Sequence, residues 1–174
     1  MFTKLLAKIS ADVALRASIS FMLTCFMGQA IHAATDSTTM NVTATVQATC
    51  VFDSIVDSGF GNISGLFTAD ADISSGSISV QCTNLAGYSI GIDNGSNFLV
   101  NRRMAFSGNF INYELYQDSG YTQVWGDISS GNEKLLQVGD GAVQAHTVYA
   151  RIPSGQSPAG AGSYSDQVTV TVNF

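Results

Sequence analysis

Met-Asn-Val-Thr-Ala-Thr-Val-Gln-Ala-Thr-Cys-Val-Phe, residues 40–52, alternates with a period of two. Met40, Val42, Ala44, Val46, Ala48, Cys50 and Phe52 form one set, and polar residues fill the positions between them except at Val51. A β-strand puts such sets on opposite faces. The run is thirteen residues long, where a usual strand has about five or six. It therefore reads as two strand segments in series, each with its own partner.

Working outward, the same period returns in short bursts. Ile78, Val80 and Cys82 alternate with polar residues; so do Tyr88, Ile90 and Ile92, before the Asp93-Asn-Gly-Ser96 turn. Further strands are expected over residues 98–106, 110–116, 121–125 and 143–152, the last stopped by Pro153. Residues 110–116 carry apolar bulk on both faces, which suits a central strand. Val168, Val170, Val172 and Phe174 form a last alternation. Residues 54–77, 128–141 and 154–163 read as irregular or loop segments. Seven or eight strand patterns without a helical period imply an all-β, immunoglobulin-like sandwich.

The N-terminus has a different character. Lys4, Lys8 and Arg16 precede an apolar stretch at residues 19–27, and small residues follow up to Ala34. This order is that of a secretory signal peptide, and the apolar run is shorter than the ~20 residues of a membrane span. The expected organisation is a signal peptide over 1–33, an N-terminal extension over 34–47 and a domain over 48–174. Export removes Cys25 and leaves Cys50 and Cys82 in an oxidising compartment. Both lie on the inward parity of their strand patterns, so one disulfide is the expected pairing; two free buried thiols are the alternative.

Composition excludes several functions. Charged residues make up only 11% of the 174, against roughly 25% in an average domain. From residue 35 onward Arg102, Arg103, Lys134 and Arg151 stand against twelve acids, a balance of −8. Nucleic acid, which needs clustered basic side chains, is not an expected partner. Neither a metal nor a cofactor is expected: two Cys and one His without metal spacing do not make a zinc site, and no phosphate-binding motif occurs. Asp70 and Asp72 read as part of a solvated loop. Arg102 and Arg103 read as a solvated edge, and His146 as a surface or sheet residue. No nucleophile-base arrangement or selected carboxylate pair is apparent, so no catalytic residue is assigned and the chain is not expected to be an enzyme.

Several stretches together resemble one family: Thr49-Cys50, Phe60-Gly61, Ile78-Ser-Val-Gln-Cys82, Asn112-Tyr-Glu-Leu-Tyr-Gln-Asp118, Val124-Trp-Gly-Asp127, Val148-Tyr-Ala-Arg-Ile-Pro153 and Gly162-Ser-Tyr-Ser-Asp166 with the valines after it. In order and spacing the chain resembles the spore coat protein U domain family, which includes subunits of archaic, Csu-type chaperone–usher pili. Ala150 departs from the pattern, where glycine is the more usual residue.

The resemblance implies an incomplete immunoglobulin-like fold that lacks its last strand. It implies a groove filled first by a periplasmic chaperone and then, at an outer-membrane usher, by the N-terminal extension of the next subunit. The product is a secreted, cell-surface pilus serving adhesion and biofilm formation. Met40, Val42, Ala44 and Val46 are the expected donor strand. Val168, Val170, Val172 and Phe174 are the expected edge of the acceptor groove. The competing reading makes residues 40–46 an ordinary strand of their own domain. Two other functions remain open: a spore or cell-surface coat protein of the same fold, and a carbohydrate-binding module stacking sugars on Tyr116, Tyr121 and Trp125.

Overall fold

A computed structural model describes residues 33–174. The expected signal peptide, apart from Ala33, and Cys25 lie outside the described residues. The chain divides into two units, Met1–Thr43 and Ala44–Phe174. In the first, the described residues form no strand and are exposed. The second holds eight strands: β1 (Cys50–Val56), β2 (Ala71–Cys82), β3 (Gly87–Ile92), β4 (Arg102–Phe106), β5 (Asn109–Tyr116), β6 (Lys134–Val138), β7 (Val143–Ile152) and β8 (Val170–Asn173).

They form a five-stranded sheet in the order β1-β2-β7-β5-β4 and a three-stranded sheet in the order β6-β3-β8. All six pairings are antiparallel. The fold is an all-β, immunoglobulin-like sandwich. Its core follows from alternation: Ile78, Val80 and Cys82 from β2, Ile111, Tyr113 and Leu115 from β5, and Val148, Ala150 and Ile152 from β7 meet Tyr88, Ile90 and Ile92 of β3. Each such aliphatic side chain contributes about 1.5–3 kcal/mol when fully buried. β5 lies between β7 and β4 and buries one face, Ile111, Tyr113 and Leu115, while Phe110 on the other is exposed.

Several expectations are corrected. Residues 128–141 contain a strand, β6. Its local pattern is weak, and its pairing is supplied by β3, with an irregular register and Leu136 in the left-handed region at φ 54°. The strand expected at 98–106 begins only at Arg102, because the preceding turn runs further. The one at 121–125 reduces to a single bridge, Tyr116 to Val124.

β1 continues past Asp53 through a bulge between Phe52 and Ser54. β2 starts at Ala71 and carries its own irregularity between Ile73 and Gly76. Each bulge shifts the parity, which is why a strict period of two stops short of the observed ends. Gly76 is required within the second: a Cβ there would lie 2.0 Å from Ser58 Oγ and 3.0 Å from Val148 Cβ.

The polar residues also moved. Asp72 belongs to β2 and holds Arg151, with Nε to Oδ1 at 2.6 Å and Nη2 to Oδ2 at 2.8 Å; Asp70 accepts the Ser154 N–H at 2.7 Å. His146 is a buried member of β7, sharing a 2.9 Å hydrogen bond with the Tyr88 hydroxyl. Arg102 is not at a solvated edge but is 2% exposed. Its Nη2 donates to the carbonyls of Ile92, Asp93 and Trp125 at 2.7–2.8 Å, and its Nη1 to Glu114. A guanidinium carries five donors in a fixed fork, and here three chain segments converge on it. Arg103 does reach the surface, stacking 4.1 Å from the Phe110 ring centre.

Candidate functional site: the flank between β1 and β8

Among the described residues β1 pairs only with β2, and β8 only with β3. Each thus leaves one backbone edge without a strand neighbour. The two edges face one another across an opening in the sandwich. A cleft of about 780 Å³ lies there, walled by Ile55, Val56, Phe60 and Ile63 on one side and by Tyr164, Val168 and Val170 on the other. Its floor is the core itself, reached at Ile78, Ile92, Ile111, Leu115 and Val148. A second cleft of about 610 Å³ adjoins it, between Phe52 and Ile55 of β1 and residues 167–170.

The apolar side chains of these walls are partly exposed. Phe52 is 42%, Ile55 47% and Val56 53% exposed, while Val168, Val170 and Val172 are half-buried. A soluble monomer rarely leaves a contiguous apolar trough beside two unpaired strand edges.

One end of this opening is rigid. Asp166 accepts the Tyr113 hydroxyl at 2.8 Å, and also the N–H and side-chain amide of Asn97 at 3.2 and 2.9 Å. Burial and the Asp166 carboxylate together push the Tyr113 phenol well above its ordinary value. Asp93 accepts the N–H groups of Thr169 and Gly95 at 2.8 and 2.9 Å. Burial pushes the Asp93 carboxyl up, but these hydrogen bonds, with the Arg102 charge, outweigh it and hold the group below the usual range. Both carboxylates act as backbone pins that hold the chain entering β8.

At the other end, Cys50 and Cys82 form a disulfide across directly paired positions of β1 and β2. Beside it, Thr83 N–H donates to Thr49 O at 2.9 Å, and Thr49 N–H donates to the Thr83 hydroxyl at 3.1 Å. The chain leading into β1 is therefore anchored at Thr49 as well as at Cys50.

The residues singled out in the sequence distribute as follows. Val168 and Val170 line the cleft. Val172 pairs with Ile90 along β3, and Phe174, 54% exposed, lies beyond β8. Met40, Val42, Ala44 and Val46 lie in no strand and are exposed, the three larger ones by more than 80%. The β1 wall was missed. Phe52 stood at the end of the alternation, but Ile55 follows the bulge and falls out of its parity, and Val56 lies beyond the break at Asp53 and Ser54. Phe60 and Tyr164 lie outside strands, where no periodicity marks them.

The alternative sugar platform loses its tryptophan: Trp125 is fully buried, donating Nε1–H to Ile90 O at 2.8 Å. Tyr116 and Tyr121 pack edge to face. Among the described residues no group of three or more His, Cys, Asp or Glu is placed to hold a metal ion.

Comparison with known proteins adds two findings. The Spore Coat Protein U domain model matches residues 36–171. A solved structure is also similar, that of the CsuC–CsuE chaperone–tip adhesion subunit pre-assembly complex from archaic chaperone–usher Csu pili of Acinetobacter baumannii. The match has 26% identity and a TM-score of 0.52, over 75% of this chain and 40% of that one. This chain thus spans well under two thirds of that protein's length. No curated protein matches the chain.

Proposed function

As the chain belongs to the Spore Coat Protein U domain family, we propose that it is a structural subunit of a chaperone–usher pilus, polymerising by exchange of an N-terminal strand. The observation that carries this reading is the cleft between β1 and β8, which has core residues for its floor and an unpaired strand edge on each side. An extended peptide with alternate apolar side chains fits such a site. Its backbone pairs with the open edges and its side chains fill the trough.

Residues 40–46 have that pattern and carry no strand of their own. Burying Met40, Val42 and Val46 contributes about 5–8 kcal/mol, and each main-chain hydrogen bond adds about 0.5–1.5 kcal/mol net. Ala44 is the one small side chain on that face, so the trough needs less room where it docks. A chaperone strand fills the cleft first in the periplasm, and an outer-membrane usher hosts the exchange. The contact is head to tail and does not close, so it builds a filament. The filament stands on the cell surface and serves adhesion and biofilm formation. The relation to a chaperone–tip adhesion subunit complex supports this reading over a coat protein without an usher.

The test uses the full chain and a form lacking residues 35–46, each co-produced with its chaperone and usher. Unboiled SDS gels and negative-stain images are the readouts. Ladders and thin fibres are expected from the full chain, with the shortened form arrested as a chaperone complex. Stable full-length monomers that the deletion destabilises would instead make 40–46 part of their own domain, and the coat-protein reading would lead.

A further inference from the structure

Two exposed apolar features stand at opposite ends of β3. Beyond Ile92, the loop before β4 presents Phe98, Leu99 and Val100 in succession, 44, 68 and 79% exposed. Three adjacent apolar residues in water are a liability unless something covers them. This loop is not slack. Asn97 is held by Asp166, Ser96 N–H donates to Gln167 O at 3.0 Å, and Arg103 Nε donates to Asn97 O at 2.8 Å.

Before Gly87, Leu85 is 81% exposed and adopts φ 65°, a conformation that side chains of its kind rarely take. Its N–H donates to Gly139 O at 2.8 Å, which fixes it beside Val138, itself 53% exposed. The domain thus holds an outward-facing leucine in a strained backbone.

We propose that these two features meet between consecutive copies of this chain: the loop bearing Phe98, Leu99 and Val100 on the acceptor packs against Leu85 and Val138 on the donor. This contact rests on the donor-strand reading, and it follows from direction and length. Every strand pairing in the domain is antiparallel, the commoner arrangement in general. A strand added beside β8 in the same pattern runs opposite to β8.

β8 starts at Val170, opposite Ile92, and ends at Asn173, opposite Ser89. An inserted 40–46 therefore leaves the cleft at the Ile92 end. There it passes Asp166 and its partner Asn97, the neighbour of Phe98. In the donor copy only residues 47–49 separate Val46 from Cys50, a reach of at most about 14 Å. Thr49 is tied to Thr83, two residues before Leu85. The donor's Leu85 is thereby delivered to the acceptor's loop.

Because the two copies are already linked, the second contact forms at a high effective concentration, in the millimolar range for a short tether. A small apolar contact then suffices. It replaces a free joint at residues 47–49 by a fixed angle between successive domains.

The experiment uses fibres of the full chain carrying Leu85→Cys together with Leu99→Cys, oxidised, boiled and run without reductant. Within one copy the two positions are separated by the six residues of β3, about 20 Å, far beyond the ~7 Å that a disulfide spans between Cα atoms. A covalent ladder from the double variant is the expected result. Each single variant should give monomers, and co-assembled single variants should give dimers only.

Fibres of the double variant that boil to monomers would overturn the contact. Leu99→Ser supplies a second measure: its fibres should be more flexible in micrographs than the unmodified ones. Unchanged stiffness, with or without weakened attachment to an apolar surface, would mean that the loop faces outward instead. If the unmodified chain forms no fibres, the donor-strand reading fails and this contact fails with it; fibres without the crosslink remove the contact alone.

Discussion

Around Arg102 the sandwich is closed; between β1 and β8 it is open. At the closed corner a buried cation has every nearby acceptor it needs, and carbonyls from β3, the turn after it and the Trp125 segment converge on one guanidinium. On the open flank apolar side chains line the cleft beside polar ones such as Asp57, Ser58 and Gln167, and among the described residues two strand edges have no neighbour. The first region gains specificity from polar satisfaction. The second leaves apolar surface and backbone groups available, at a cost to the free domain. A domain that must accept another strand needs both: one end held firmly enough that the other can stay empty without collapse.

The contrast is easiest to break at its closed side. Arg102→Ala leaves three buried carbonyls and Glu114 without their partner. A loss of about 3–5 kcal/mol is expected for breaking a buried pair, read as a fall in the denaturation midpoint of the oxidised protein. Next in size is the anchor of β1. Cys50→Ser with Cys82→Ser removes the closure of a loop with sequence separation 32, worth about 3–4 kcal/mol on the chain-entropy estimate. The same midpoint measurement checks it, and β1 should gain hydrogen-exchange rate before β5 does.

A matched pair sharpens the comparison. Ile90, fully buried in β3, should cost about 2–5 kcal/mol on replacement by Ala. Val170, half-buried beside the empty cleft, should cost about 1 kcal/mol, the centre of the usual range. If a peptide of residues 40–46 is added, the Val170→Ala cost should rise and the Ile90→Ala cost should stay. Equal responses would mean that the peptide does not occupy this flank.

The smallest effect is a pH dependence. Burial first, and the Lys134 charge second, hold the His146 imidazole below its ordinary value of 6.5. The folded state therefore binds this proton less readily than the unfolded state. Its contribution is complete above pH 6.5 and declines as pH falls below that value towards the folded pKa. His146→Gln should flatten stability over that interval while leaving the Tyr88 hydroxyl a partner.

Much of the sandwich was legible along the chain. Ile78, Val80 and Cys82, or Ile111, Tyr113 and Leu115, announce a face by their spacing, and both cysteines sit on the inward side. What failed did so for identifiable reasons. β6 is a strand because β3 offers it an edge, not because residues 134–138 alternate strongly. Ile55 is a cleft wall because a bulge at Asp53 turns it inward. His146 is a sheet residue, one of the two readings its strand pattern allowed, and its inward parity in β7 accounts for its burial.

Arg102 shows the limit most plainly, since a cation in a strand pattern reads as solvated until its acceptors are known. Those acceptors come from residues 92, 93, 114 and 125. Periodicity is a property of neighbouring residues, so the sequence alone determined the strands that alternate, such as β3, β5 and β7, and which of their side chains share a face. How many neighbours each strand has, and whether a buried charge is paired, depends on segments far apart in the chain. Only the tertiary structure decided that β1 and β8 would face each other across an unfilled space, because hydrogen bonds and packing between distant segments are settled by the fold as a whole.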